Sequence, residues 1–148
     1  AKYPRGLSMD EAEGMLRRRL NDIAEKLHNA SVFGTQAQTN AFVSLAYNIG
    51  IGSATGQRNG FLGSTLLRMH RNGDPMLIGE ITPSMLRTLA DLSKEKAPPK
   101  TIAHAFSSWS YAGGKWMLGL FRRRIAEYCI YRGDALDVAL STVRGFHG

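Results

Sequence analysis

Apolar residues recur every three or four positions along most of this chain, the period of helices that bury one face. The first stripe holds Ala12, Met15, Leu16, Leu20, Ile23, Ala24 and Leu27. It predicts a helix to about His28 with that stripe inward, opened by a capping-box pattern at Ser8 and Glu11. Thr35 and Gln38 repeat the pattern before a second helix to about Tyr47, with Ala41, Phe42, Leu45 and Ala46 inward. That helix gives way to Asn48-Ile49-Gly50-Ile51-Gly52, where glycines admit left-handed backbone. Ser53 to Gly60 reads as an exposed, mobile loop.

A third helix is expected from about Leu62 to Arg71, stopping at Asn72-Gly73. Thr82-Pro83 is a cap followed by proline at the first helical position, and starts a helix to about Lys94. Ala97-Pro98-Pro99 breaks the chain before a short helix from about Lys100 to Ser108. Further helices are expected from about Met117 to Tyr131 and from Asp134 to Ser141, with Val143 to Gly148 frayed. No segment alternates convincingly as a strand. The expectation is an all-α domain of about six or seven helices spanning residues 1–148.

At 148 residues the chain can bury a core without disulfides or metal. Its formal charge of +7 favours polyanionic partners such as nucleic acid, anionic lipid or an anionic cell-wall polymer. Cys129 is the only cysteine, so no intrachain disulfide and no cysteine metal cluster can form; among Ile125, Tyr128 and Ile130 it reads as a buried thiol. His28, His70, His104 and His147 lack metal-ligand spacing, so no metal is expected. No P-loop, dinucleotide fingerprint or nucleophile elbow occurs, and no cofactor is expected. No apolar run reaches membrane-spanning length. Nucleic-acid binding has the charge but no recognition signature, so no specific nucleic acid is expected. The start at Ala1-Lys2-Tyr3-Pro4-Arg5-Gly6, with no initiator Met and no signal-peptide pattern, reads as a processed product or a fragment.

The densest chemistry lies in Trp109 to Glu127, where two tryptophans flank Ala112-Gly113-Gly114-Lys115 ahead of Arg122-Arg123-Arg124. Three consecutive arginines cannot share one helical face, so one is expected to lie on the core edge by its stem while others reach solvent. Trp109 reads as core and Lys115 as exposed. Asn48 has the donor and acceptor to bind a sugar hydroxyl or acetamido group, although a helix-end role suffices for its position. Of the acidic residues, Glu80 is the one in apolar sequence company, and an acid ahead of the Thr82 helix is the plainer reading. Glu127 is expected to pair with Arg123 four positions earlier.

Taken in order, F-V-S-L-A-Y-N-I-G-I-G (Phe42 to Gly52), G-S-T-L-L-R (Gly63 to Arg68), N-G-D (Asn72 to Asp74), W-S-Y-A-G-G-K (Trp109 to Lys115) and G-L-F-R-R-R-I-A-E (Gly119 to Glu127) resemble the phage-type lysozymes, the muramidase endolysins. The resemblance covers Leu7 to about Arg132. It implies the helical lobe of a two-lobed fold, and cleavage of the β-1,4 bond between N-acetylmuramic acid and N-acetylglucosamine in bacterial peptidoglycan. It implies Asn48 and Lys115 as cleft residues, and phage-encoded action in the host cytoplasm and then the periplasm or cell wall, or secretion.

Three departures stand out. The family's catalytic glutamate, its partner and its β-hairpin lobe precede a position like Lys2 to Gly6, so no residue here inherits a catalytic role and a missing N-terminal segment becomes an expected partner. Ser53 to Gly60 is longer than the usual loop. Residues 75–98 insert an extra helix at 82–94; past the stretch of resemblance, 134–148 are expected as a C-terminal appendage. The expected function is therefore that of a muramidase fragment without its acid, with a non-catalytic peptidoglycan-binding relative or a structural phage component as the alternative.

Overall fold

The computed structural model describes residues 9–52, 60–73 and 76–148. Seven helices lie among them: α1 (Met9–Asn29), α2 (Gln36–Ile49), α3 (Thr65–Asn72), α4 (Pro83–Ser93), α5 (Ile102–Ser107), α6 (Leu118–Tyr131) and α7 (Leu136–Arg144). A two-stranded antiparallel hairpin, β1 (Tyr111–Ala112) and β2 (Lys115–Trp116), precedes α6. The fold is predominantly α-helical, as the periodicity predicts. The hairpin corrects the expectation of no strand: each strand is two residues long, too short to display an alternating pattern.

Side chains start most of the helices. The Gln38 N–H donates to Thr35 Oγ1 at 3.1 Å and the Thr35 N–H to Gln38 Oε1 at 2.9 Å, which completes the capping box of α2. Thr82 accepts from the Met85 N–H at 3.2 Å, with Pro83 at the first helical position of α4. Ser64 and Thr101 cap α3 and α5 in the same way. Gly73 ends α3 in the left-handed region at φ 72°. Helix α3 starts at Thr65 rather than near Leu62, because the cap formed by Ser64 places the preceding residues in a turn. Ser8, the first half of the α1 capping pattern, and residues 53–59 of the expected loop lie outside the described residues.

Helix α6 is central and packs against α2, α5 and α7, while α1 rests on α2 and α4 on α5. Its Phe121, Ile125, Tyr128, Cys129 and Tyr131 meet Phe42, Leu45, Ile102 and Phe106 in one buried cluster. Phe42 is the aromatic hub, with ring centroids of Phe61 and His70 at 4.8 Å and of Tyr131 at 5.4 Å. His70 bridges elements: its Nδ1 stands 2.6 Å from the Tyr131 hydroxyl and its Nε2 2.6 Å from the Phe33 carbonyl.

Two expectations about packing are overturned. The apolar stripe of α1 is not inward along its length: Leu27 alone among the seven is buried, and Leu16 is 44% exposed. Only the C-terminal end of α1 reaches the core. The chain end does not fray from Val143, because Ala139, Val143 and Phe146 are buried and Arg122 donates from Nε to the Phe146 carbonyl at 2.7 Å.

Candidate functional site

The end of α2 meets the middle of α6 through a buried polar network. Helical spacing brings Ser44 and Asn48 onto one face of α2, and Arg124 and Glu127 onto the opposing face of α6. Arg124 is fully buried at 0% and Glu127 is 3% exposed. Arg124 Nη2 donates to Asn48 Oδ1 at 2.6 Å. Ser44 Oγ donates to Glu127 Oε2 at 2.5 Å, and Arg123 Nε lies 3.5 Å from that oxygen. The pairing of Glu127 with Arg123 is thus present, joined by Arg124, whose Nη1 stands 3.3 Å from Glu127 Oε1.

The arginine reading is corrected here: Arg124 buries its charged head as well as its stem, because Asn48 supplies it with an acceptor and Glu127 with a counter-charge inside the core. Arg124 Nε has no hydrogen-bond partner among the described residues. Burial pushes the Glu127 carboxyl above the usual carboxylate range, opposed by Arg124, Ser44 and Arg123. Burial likewise lowers the Arg124 guanidinium, which at ordinary pH still stays charged. Glu80, by contrast, is exposed. The buried acid is Glu127, and its signal in the sequence was the pair Arg123 and Arg124, four and three positions before it.

Asn48 lies in the last turn of α2, before Gly50 at φ 90°. A guanidinium only donates, so the Asn48 oxygen must face Arg124, and the amide nitrogen is left without a hydrogen bond among the described residues. Asn48 is exposed as a residue. Gly50 and Ile51 accept backbone hydrogen bonds from Phe61 and Leu62, which close the turn behind it.

Lys115 is exposed on β2, beside the hairpin turn. Gly113 and Gly114 hold φ of 58° and 78°, the two positive values that a tight two-residue hairpin requires. The Met117 N–H donates to the Ser110 carbonyl at 2.8 Å and closes the hairpin base. Trp109 is half-buried against the core. No hydrogen bond or ion pair among the described residues joins Asn48 to Lys115, so the two candidate contacts stand on separate elements.

Two grooves mark the surface. A groove of about 1220 Å³ separates residues 76–87 from α7 and is lined by neither Asn48 nor Lys115. A second, of about 550 Å³, runs between α1 and α2 and includes Ser44, Tyr47 and Arg123 at the edge of the buried network. Among the described residues no group of three or more His, Cys, Asp or Glu could hold a metal ion. No described helix is long and apolar enough to cross a membrane.

The family model described as phage lysozyme matches residues 2–82, more than half of the chain. The chain therefore belongs to the phage lysozyme family. The match holds α1, α2 and α3 and ends at the N-cap of α4. No curated protein and no solved structure matches the chain.

Proposed function

We propose that this chain is the peptidoglycan-binding helical lobe of a phage-type muramidase. The observation that carries this reading is the family match over residues 2–82. The formal charge of +7 supports it, because the peptide stems of that polymer carry carboxylates. Asn48 contributes its amide nitrogen to a sugar carbonyl or hydroxyl, its oxygen held by Arg124; Lys115 contributes a charge to an anionic substituent. In the full enzyme the lobe acts at the cell wall on the bond between N-acetylmuramic acid and N-acetylglucosamine.

Cleavage of a glycosidic bond needs two carboxyl groups across it, about 5–9.5 Å apart, one of them protonated. Glu127 is the one buried carboxyl among the described residues, and it is enclosed by Arg123, Arg124 and Ser44. It forms a structural ion pair inside the core. Where the bond is cut, the acid comes from residues outside this sequence, in the segment that forms the family's second lobe.

The same observation favours a second reading, a relative that binds the polymer without cutting it. Purified 1–148 is incubated with isolated peptidoglycan, and co-sedimentation is followed beside a turbidity assay. Binding without clearing is expected. Absence of binding overturns the lobe assignment, and clearing by this chain overturns the placing of the acid outside it. The coding sequence upstream of Ala1 separates the two readings: a catalytic glutamate there supports the muramidase, and its absence supports the non-catalytic relative.

A further inference from the structure

The groove between residues 76–87 and α7 is built around one apolar side chain held out of its wall. The Leu77 N–H donates to the Tyr128 hydroxyl at 2.7 Å, and Arg132 donates from Nη1 to the Gly79 carbonyl. Both anchors belong to the C-terminal end of α6 and its cap. Ile78, between the two anchored residues, lines the groove and is 94% exposed. Turning it inward would break these hydrogen bonds. Met76 and Val138 line the same groove and are exposed, and Leu136 and Leu140 are exposed one turn apart on α7. These five are a majority of the nine large apolar side chains exposed among the described residues, so the exposure is clustered rather than scattered.

The charge of this face differs from that of the whole chain. Its lining holds three carboxylates, Glu80, Asp134 and Asp137, against two arginines, Arg87 and Arg132. Arg132 and Asp134 pair at 3.0 Å, while Glu80, Asp137 and Arg87 have no ion-pair partner among the described residues. The chain carries a formal +7, so two copies repel at long range. On this face that repulsion is absent, since acids slightly outnumber bases. A surface that meets its own copy across a two-fold axis must complement itself, knob with hollow and acid with base. This face carries all four.

We propose that the groove is the interface of a symmetric dimer of this chain, in which Ile78 of each copy enters the groove of the other. Glu80 and Asp137 of one copy then lie against the face that carries the partner's Arg87. Dimer formation of this kind does not depend on glycan binding, because neither Asn48 nor Lys115 lines the groove.

The test is sedimentation equilibrium of the whole chain over about 5–500 μM, which is expected to show monomer and dimer exchanging with concentration. Ile78→Asp is expected to weaken the dimer about tenfold or more, while Ile78→Leu, which keeps the knob, dimerises as the parent does. Arg87→Glu, which leaves only acids unpaired on the face, is expected to weaken it about threefold. Ile78 makes no core contact to lose, and melts of the dilute variants that match the parent show that they are folded. A parent that stays monomeric throughout, or a dimer that Ile78→Asp leaves intact, overturns the proposal. Oligomers that keep growing with concentration overturn the two-fold arrangement in favour of head-to-tail contact. A monomeric parent whose co-sedimentation with peptidoglycan is lost in Ile78→Asp overturns it too, and gives the groove to the polymer.

Discussion

Arg124, with no solvent exposure, donates to the side-chain oxygen of Asn48 across 2.6 Å and so couples α6 to the last turn of α2. The same guanidinium faces Glu127 at 3.3 Å. A buried pair of this kind gains little over an apolar pair of the same shape, but removing one partner strands the other charge in the core. Arg124→Met, which strands the Glu127 carboxylate, is therefore expected to destabilise the fold by about 3 kcal/mol in urea unfolding at neutral pH. The double change Arg124→Met with Glu127→Leu is expected to cost less than the sum of its single changes. Additive losses would show that the two charges are not coupled.

The Glu127 network also predicts a pH dependence. Its carboxyl is raised by burial above the usual carboxylate range, so the folded state holds the proton more tightly than the unfolded state does. Stability contributed by this group is present at low pH and is lost as pH rises from the ordinary glutamate value through the raised one. The stability of the parent relative to Glu127→Gln should fall across that window, measured by urea unfolding at a series of pH values. A relative stability that rises with pH would mean that the arginines outweigh burial.

Burial pushes the Cys129 thiol up to about 11. Little thiolate forms at pH 8, and the sulfur is fully enclosed. An aromatic disulfide reagent should leave the folded chain unlabelled at that pH and label one thiol when urea is added. Rapid labelling without denaturant would place Cys129 at the surface.

Phe42 touches Phe61, His70, Phe106 and Tyr131 at once. Phe42→Ala should cost about 3–5 kcal/mol by calorimetry or urea unfolding, as large aromatic deletions from packed cores do. A loss below about 1 kcal/mol would show a core that collapses around the gap.

Gly60 is buried against the turn that follows Asn48. A Cβ at Gly60 would lie 2.6 Å from the Cα of Gly52 and 2.9 Å from the carbonyl oxygen of Gly50, on backbone at φ 78°. Gly60→Ala should destabilise the fold by about 2 kcal/mol or more, from overlap with backbone together with left-handed strain. It should also weaken peptidoglycan binding if this turn positions Asn48. Parent-like binding at a lowered melting temperature would separate the turn's stability from recognition.

The sequence by itself determined the helices and most of their starts. Thr35 with Gln38, and Thr82 with Pro83, act within one turn of chain, so local chemistry places them without tertiary information. The ordered motifs likewise carried the family. The hairpin was present as Gly113-Gly114, a tight-turn signal, but its strands were too short for periodicity to reveal. Tertiary structure decided what the charges do. Nothing local to the arginine triplet says that Arg124 is buried and Arg123 exposed; that follows from Ser44 and Asn48, some eighty positions away, supplying partners across the α2–α6 interface. It also decided that Leu16 is exposed although it lies on an apolar stripe, because the periodicity of a helix marks a face that can be buried but does not provide the element that buries it.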